Sequence, residues 1–129
     1  QTCALPILGI DFTARDIQQQ CKQKGLPWEK AKSFDHSAPV GQFIPKSKLK
    51  HVNQLDFTLE INGELRQKGN TNDLLFSFDK IIAYVSQFVT LKTGDLIFTG
   101  TPEGVGPVKR GDRVIGFLCS EILLDFEIK

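Results

Sequence analysis

Residues 8–34, LGIDFTARDIQQQCKQKGLPWEKAKSF, decide how the fold is organised. The apolar, partly β-branched stretch over residues 4–12 predicts a buried strand. Thr13 is expected to cap the helix that follows, and Gly25, with a proline two positions later, predicts where that helix ends. The stretch therefore predicts a strand, a capped helix and a loop that carries Lys32.

Four polar side chains of this stretch fall where its elements end. Asp11 lies at the end of the predicted strand, and Lys32 follows the helix. Arg15 and Gln18 share a helical stripe at the edge of the core, next to the end of the strand. One carboxylate, two cationic groups and one amide suit an anionic substrate that is chelated to a metal ion. The alternative is that Arg15 and Gln18 are simply solvated.

The composition restricts the classes of protein to which the chain can belong. Its 129 residues fit one domain, and 16 basic residues balance 15 acidic ones, so nothing predicts nucleic-acid binding. The apolar run at the start is too short to span a membrane. Three cysteines without a C-x-x-C spacing predict neither a disulfide framework nor a zinc site, which favours a reducing compartment, the cytoplasm.

The second half of the chain predicts strands and one further helix. Residues 55–61 alternate between apolar and polar side chains, and Asn62 with Gly63 predicts a tight hairpin turn. Further strands are predicted at the segments 96–99, 113–118 and 122–128. The carboxylates of Asp125 and Glu127 face the same way on the last strand, and we expect them on a solvent face.

Ser77 is expected to cap the further helix, whose apolar side chains recur at helical spacing. Such a stripe is more often part of a core than of a cofactor site, so we expect these side chains to be packed. They are Phe78, Ile81, Ile82, Val85 and Phe88.

Four runs of sequence resemble the fumarylacetoacetate hydrolase family, and within it the acylpyruvate hydrolase and oxaloacetate decarboxylase branch. The runs are IDFTARD, KGLPWEKAKSFD, NGELRQ and LIFTGTPEGVGPVKRGD. The resemblance extends from residue 8 to about residue 129. It implies an α+β fold that is mainly β, a mixed β-sandwich roll incomplete at its N-terminus, and a homodimer for the full-length protein.

The resemblance separates the first residues from the rest. QTCALPI, residues 1–7, matches the translation of a common sequencing-library adaptor, so we expect a non-native leader there. A genuine upstream strand is the alternative. Residues 8–129 are then expected to be the C-terminal part of the catalytic domain.

The glycine-rich loop that begins at Gly100 and Thr101 is ambiguous from its residues alone. No Gly-Lys-Ser/Thr follows, so it is not a phosphate loop, and an ordinary turn would explain its three glycines. The resemblance implies that the loop borders the active site and that Thr101 contacts a carboxylate of the substrate.

The resemblance also assigns roles around residue 11. It implies that Asp11 is a ligand of Mg²⁺ or Mn²⁺ and that Lys32 stabilises the enolate formed from a keto acid. Arg15 and Gln18 would hold the substrate carboxylate. A Glu-x-Glu pair and a His-Glu dyad would lie upstream of this chain, so we expect the 129 residues alone to be inactive or nearly so.

Three functions remain open at this point. The first is a fragment of a hydrolase or decarboxylase that acts on C–C bonds of acylpyruvates or oxaloacetate. The second is another reaction on the same scaffold, either an isomerase and decarboxylase or an oxaloacetate tautomerase. The third is a degenerate binding module without catalysis. No Ser-His-Asp or Cys-His arrangement supports covalent catalysis.

Overall fold

The computed structural model describes residues 7–49 and 51–129. The expected leader lies outside these ranges except for its last residue. The described chain forms two compact units: one is Gly9–Val40, and the other contains the described residues on either side of it.

The Gly9–Val40 unit contains helix α1 (Arg15–Lys24) and the short helix α2 (Glu29–Lys32). The predicted end of α1 is confirmed, because Gly25 takes a left-handed conformation with φ of 63° and its N–H bonds back to the helix. Cys21 and Ala31 are the buried side chains of the two helices. The helices are thus anchored by small side chains on their inner faces.

Three predictions about this unit are wrong. Of the strand predicted over residues 4–12, residues 4–6 lie outside the described ranges, and residues 7–12 form no continuous strand but make an antiparallel bridge from Gly9 to Val40. The N–H of Ile10 bonds to the carbonyl of Pro39, which has no N–H with which to extend a ladder. The N-cap of α1 is Ala14 without a side-chain bond, not Thr13, and Lys32 ends α2 instead of lying in a loop.

The other unit is built on one open antiparallel sheet. Its strands are β1 (Asp56–Ile61), β2 (Glu64–Asn70), β3 (Arg113–Leu118) and β4 (Glu121–Glu127), in the spatial order β2-β1-β3-β4. This architecture confirms the α+β, mainly β class. The hairpin turn is also confirmed, since Asn62 and Gly63 have φ of 54° and 80°, as a type I′ turn requires.

Apolar side chains beneath this sheet form its core. Leu55, Leu118 and Leu123 are each less than a tenth exposed and pack with Ile44. Val114 on the central strand β3 is only 1% exposed. Partly buried side chains complete the cluster; they are Leu8, Leu49 and Phe57.

Helix α3 (Phe78–Val85) begins as predicted but does not pack as predicted. The hydroxyl of Ser77 accepts a hydrogen bond from the N–H of Lys80, which confirms the cap. No residue of α3 is buried, and Phe88, just beyond it, is 73% exposed, so the expected core stripe is wrong. None of the described helices is long and apolar enough to cross a membrane.

The strand expected at residues 96–99 is also absent from the described chain. These residues follow a turn in which the N–H of Lys92 donates to the carboxylate of Asp95, and they take no strand conformation. The central strands β1 and β3 already have a neighbour on both sides, and the segment forms no ladder with either edge strand, β2 or β4.

Asp112 joins the β1–β2 turn to the start of β3. One oxygen of its buried carboxylate accepts from the amide of Asn62 at 2.9 Å, and the other accepts from the N–H of Lys109 at 2.9 Å. The Asn62 bond, with the Lys109 N–H second, lowers the pKa of Asp112 below its ordinary value of 3.8. Because the folded chain holds this group ionised, its contribution to stability is complete above the unfolded pKa and is lost as the pH falls through the folded value.

The Asp112→Asn variant should therefore melt about 5 °C below the parent at neutral pH, since the new amide presents N–H groups to a donor. Its melting temperature should also depend less on pH below about 4 than that of the parent. Thermal unfolding, followed by circular dichroism from about pH 2 to about pH 7, measures both effects, because this range includes the ordinary pKa values of carboxyl groups.

Asp125→Asn is the matched control. Asp125 also has a pKa lowered by hydrogen bonds from its partner, Arg113, but both side chains are exposed. Its solvent-facing position confirms the prediction made for the last strand. An equal loss of stability in the two variants would contradict a special role for the Asp112 contacts.

Candidate functional site

The ammonium group of Lys32 lies between two oxygen groups of the segment that precedes α1. Its Nζ is 2.6 Å from Oδ2 of Asp11 and donates a hydrogen bond to Oγ1 of Thr13 at 2.8 Å. The side chains of Lys32 and Asp11 are 29% and 47% exposed, so ligands can reach them from solvent. Two of the three ammonium N–H bonds are thus accounted for, and the third can meet a ligand.

Backbone hydrogen bonds hold the two segments side by side. The N–H of Ala14 donates to the carbonyl of the fully buried Ala31 at 3.0 Å. The N–H of Phe12 donates to Ser37 at 2.8 Å. Because these bonds join residues just after Asp11 to residues on either side of Lys32, the two side chains meet although they are 21 positions apart.

Arg15 and Gln18 form a second donor pair on the first turns of α1. The Nη1 group of Arg15 donates to Oε1 of Gln18 at 3.1 Å. This bond uses the only acceptor of the Gln18 side chain and leaves its NH₂ group, together with other guanidinium N–H groups, as donors. Such an arrangement suits a carboxylate, which accepts several hydrogen bonds.

The loop with Gly100 and Thr101 belongs to the unit that contains the sheet. The side-chain amide of Gln67, on β2, donates to Oγ1 of Thr101 at 2.8 Å and to the carbonyl of Pro102 at 3.0 Å. Thr101 is exposed, and Gly100 has φ of 109°. The loop is therefore attached to the sheet with the Thr101 side chain accessible.

The described residues do not complete a metal site around Asp11. Within residues 7–49 and 51–129, no three side chains of His, Cys, Asp or Glu are grouped as metal ligands would be. The nearest cation to the Asp11 carboxylate is its own partner, Lys32. One carboxylate, engaged by an ammonium, does not by itself supply the oxygen-rich coordination that Mg²⁺ or Mn²⁺ requires.

Two contacts around the candidate residues were missed from the sequence. Thr13 serves Lys32 instead of capping α1, and Gln67 holds the Thr101 loop. Gln67 stands in the run NGELRQ, which carries part of the family resemblance, so a signal for it existed. No comparable local signal links Thr13 to a lysine nineteen positions later.

Comparison with known proteins supplies independent information. Residues 5–121 match the C-terminal domain of the fumarylacetoacetate hydrolase family. The mitochondrial oxaloacetate tautomerase of Mus musculus is 49% identical over 122 residues, and the mitochondrial oxaloacetate decarboxylase of Dictyostelium discoideum is 47% identical over 107 residues. These matches cover 95% and 83% of the chain, and 55% and 49% of the relatives.

Solved structures agree with the fold. A fumarylacetoacetate hydrolase family protein from Yersinia pestis superimposes with a TM-score of 0.90 at 42% identity, covering 95% of this chain and 58% of the other. A fumarylpyruvate hydrolase from Pseudomonas aeruginosa, in complex with Mn²⁺ and pyruvate, gives 0.86 at 39% identity, covering 97% and 53%.

These comparisons fix the family and correct one expectation. The chain spans about half the length of the curated relatives it matches. The cytoplasmic location expected from the cysteines is contradicted, because the mouse and Dictyostelium relatives are both named as mitochondrial. Since the family match extends over nearly the whole sequence, the chain belongs to the fumarylacetoacetate hydrolase family.

Proposed function

We propose that this chain is part of an enzyme that acts on small keto acids of the oxaloacetate or acylpyruvate type. The observation that carries the proposal is the position of Lys32, whose ammonium is held by Asp11 and Thr13 with one N–H left for a ligand. Arg15 and Gln18 add donors for a carboxylate in the same unit. The matched relatives that act on oxaloacetate support the substrate class.

Within that class, the residues suit reactions that pass through an enolate. Tautomerisation, decarboxylation and hydrolysis of a 2-keto acid all place negative charge on the oxygen next to the carboxylate. We assign Lys32 to stabilise that charge as the catalytic residue, because a fixed ammonium needs little reorganisation as charge develops. Arg15 and Gln18 would orient the substrate carboxylate. In the other unit, Thr101, with Gly100 as part of its loop, is proposed as a carboxylate contact in its own right.

Tautomerisation of oxaloacetate is a second specific candidate, favoured by the names of the mammalian relatives. It needs enolate stabilisation and proton transfer, but no attacking water. The described residues supply the charge stabilisation common to all three reactions. The hydrolase and decarboxylase assignment differs from the tautomerase assignment only in the other groups that must surround the enolate.

We also propose that the activity depends on a divalent cation, Mg²⁺ or Mn²⁺, to which Asp11 would contribute one ligand. The fumarylpyruvate hydrolase complex with Mn²⁺ supports this part of the proposal. The described residues do not form such a site by themselves, and the remaining ligands would have to come from elsewhere. We therefore expect the 129-residue chain to convert oxaloacetate no faster than the background with excess Mg²⁺.

The same proposal extends to assembly and organisation. We propose residues 8–129 as the C-terminal part of a catalytic domain and residues 1–7 as non-native sequence. The active protein would be a homodimer, as the family resemblance implies. These assignments concern the whole enzyme. The matched relatives are about twice as long as this chain.

A titration of the ¹⁵N-labelled chain with sodium pyruvate tests the proposal. Pyruvate carries the 2-keto carboxylate of the proposed substrates without the group that reacts. We expect saturable shifts of the backbone amides of Asp11, Arg15, Lys32 and Thr101, because these residues supply or border the proposed contacts.

Sodium acetate is the control ligand, since it has a carboxylate but no keto group. Weaker binding of acetate than of pyruvate is expected if Lys32 meets the keto oxygen. Equal affinity for the two anions would favour a non-catalytic anion-binding module. The absence of saturable shifts near Lys32 would contradict the proposal altogether.

A further inference from the structure

The side-chain amide of Gln67 meets three oxygen atoms of the glycine-rich loop. Its Nε2 is 2.8 Å from Oγ1 of Thr101, 3.0 Å from the carbonyl of Pro102 and 3.3 Å from the carbonyl of Glu103. Thr101 and Gln67 are separated by 34 positions in the sequence. One side chain of β2 therefore gathers three consecutive residues of the loop.

The two carbonyl groups fix which way these hydrogen bonds run. A carbonyl oxygen can only accept, so the end of the Gln67 amide that faces Pro102 and Glu103 must be the NH₂ group. An amide NH₂ cannot accept a hydrogen bond. The hydroxyl of Thr101 therefore accepts from Gln67, and its own proton remains free to be donated to another group.

The backbone geometry is independent evidence that the loop lies against β2 next to Gln67. The pairing of β1 with β2 shifts register between Leu59 and Glu60, which leaves Arg66 as the extra residue of a bulge. Gly104 has φ of 95°, and a Cβ atom there would collide with the carbonyl oxygen of Arg66. Only glycine allows the loop to approach the bulge this closely.

We infer that Gln67 is a positioning residue that holds Thr101 so that its hydroxyl donates to a carboxylate of the ligand. The inference rests on the proposed function, in which Thr101 contacts that carboxylate. A carboxylate accepts hydrogen bonds and cannot donate them when ionised. The Gln67 amide donates to the Thr101 hydroxyl and cannot accept its proton. The hydroxyl proton is therefore available to an ionised carboxylate of the ligand.

A double-mutant cycle on pyruvate affinity tests the inference. Gln67→Leu and Thr101→Val should each weaken pyruvate binding by about fivefold, the size expected for one hydrogen bond. If Gln67 acts through the Thr101 hydroxyl, the double variant should bind no more weakly than Thr101→Val alone. Thr101→Ser keeps the hydroxyl and should retain near-parental affinity.

Amide hydrogen exchange of the ligand-free chain provides the second measurement. In Gln67→Leu, exchange at Thr101 and Gly104 should accelerate about tenfold, because the loop loses its side-chain bonds to β2. Gln87→Leu is the matched control, since Gln87 is an exposed glutamine just beyond the end of α3. It should change neither the exchange nor the affinity.

The outcomes separate this inference from the proposed function. Unchanged exchange in Gln67→Leu, or additive losses of affinity in the double variant, would overturn the positioning role even if the parent chain binds pyruvate. Failure of the parent chain to bind pyruvate would overturn the proposed function, and with it the ligand that Thr101 is said to meet. Accelerated exchange together with non-additive losses supports the inference.

Discussion

Replacing Lys32 with methionine should weaken pyruvate binding by about 10- to 100-fold, since a hydrogen bond to a charged group contributes about 1.5–3 kcal/mol. Methionine keeps most of the length of the side chain but removes the ammonium that lies between Asp11 and Thr13. The Asp11 carboxylate is then left without its partner and repels the anion. The affinity is measured by the amide-shift titration used for the parent chain.

Lys30→Met is the matched control for this prediction. Lys30 lies two positions earlier in the same short helix, is exposed, and carries the same charge. Its replacement should change the affinity by less than about twofold, because only the general electrostatic attraction is lost and salt screens it. Equal losses in the two variants would show that pyruvate senses net charge and not the Lys32 site.

The Leu118→Ala variant should lose about 3 kcal/mol of unfolding free energy. Leu118 is 5% exposed and packs with Leu55, Leu123 and Ile44 at the centre of the core beneath the sheet. Truncation to alanine leaves a cavity among neighbours that belong to different segments and cannot all move inward. The melting temperature should fall by about 10–15 °C, measured by thermal and urea unfolding.

Leu65→Ala provides the comparison for Leu118. Leu65 lies on β2 and is 59% exposed, so its truncation removes few packing contacts. Its unfolding free energy should remain within about 0.5 kcal/mol of the parent. If both variants lost similar stability, the core beneath the sheet would not be what stabilises this unit.

Elements whose signals are local could be predicted from the sequence. The alternation over residues 55–61, the Asn62 and Gly63 turn, and the Ser77 cap all depend on neighbours within a few positions. Each was found where it was predicted. The α+β, mainly β class followed from these elements, and the family resemblance extended it to the whole chain.

Elements that depend on distant partners were predicted less well. Helical periodicity shows that one side of α3 is apolar, but it cannot show whether another element covers that side. Thr13 has the chemistry of a cap, yet the charge of Lys32 competes for its oxygen. The segment at residues 96–99 has strand-forming side chains, yet it pairs with none of the four strands of the sheet, which its own residues do not reveal.

The candidate site, too, could be predicted only in part from the sequence. The meeting of Asp11 with Lys32 was expected from the resemblance, and the structure places them 2.6 Å apart. Their roles toward metal and substrate remain predictions, as do those of Arg15, Gln18 and Thr101. Gln67 had no predicted role although it stands in the run NGELRQ, because its contact with Thr101 joins residues 34 positions apart.

The contact of Asn62 with the start of β3 has a consequence for the order in which the chain folds. The partners of the Asn62 side chain, Asp112 and Arg113, lie 50 and 51 residues further along the chain. The β1–β2 and β3–β4 hairpins each close locally, whereas the seam between them must first overcome the entropy of a long loop. Refolding should therefore be limited by the step that joins the two preformed hairpins, and the contacts of the Asn62 side chain with Asp112 and Arg113 should form last.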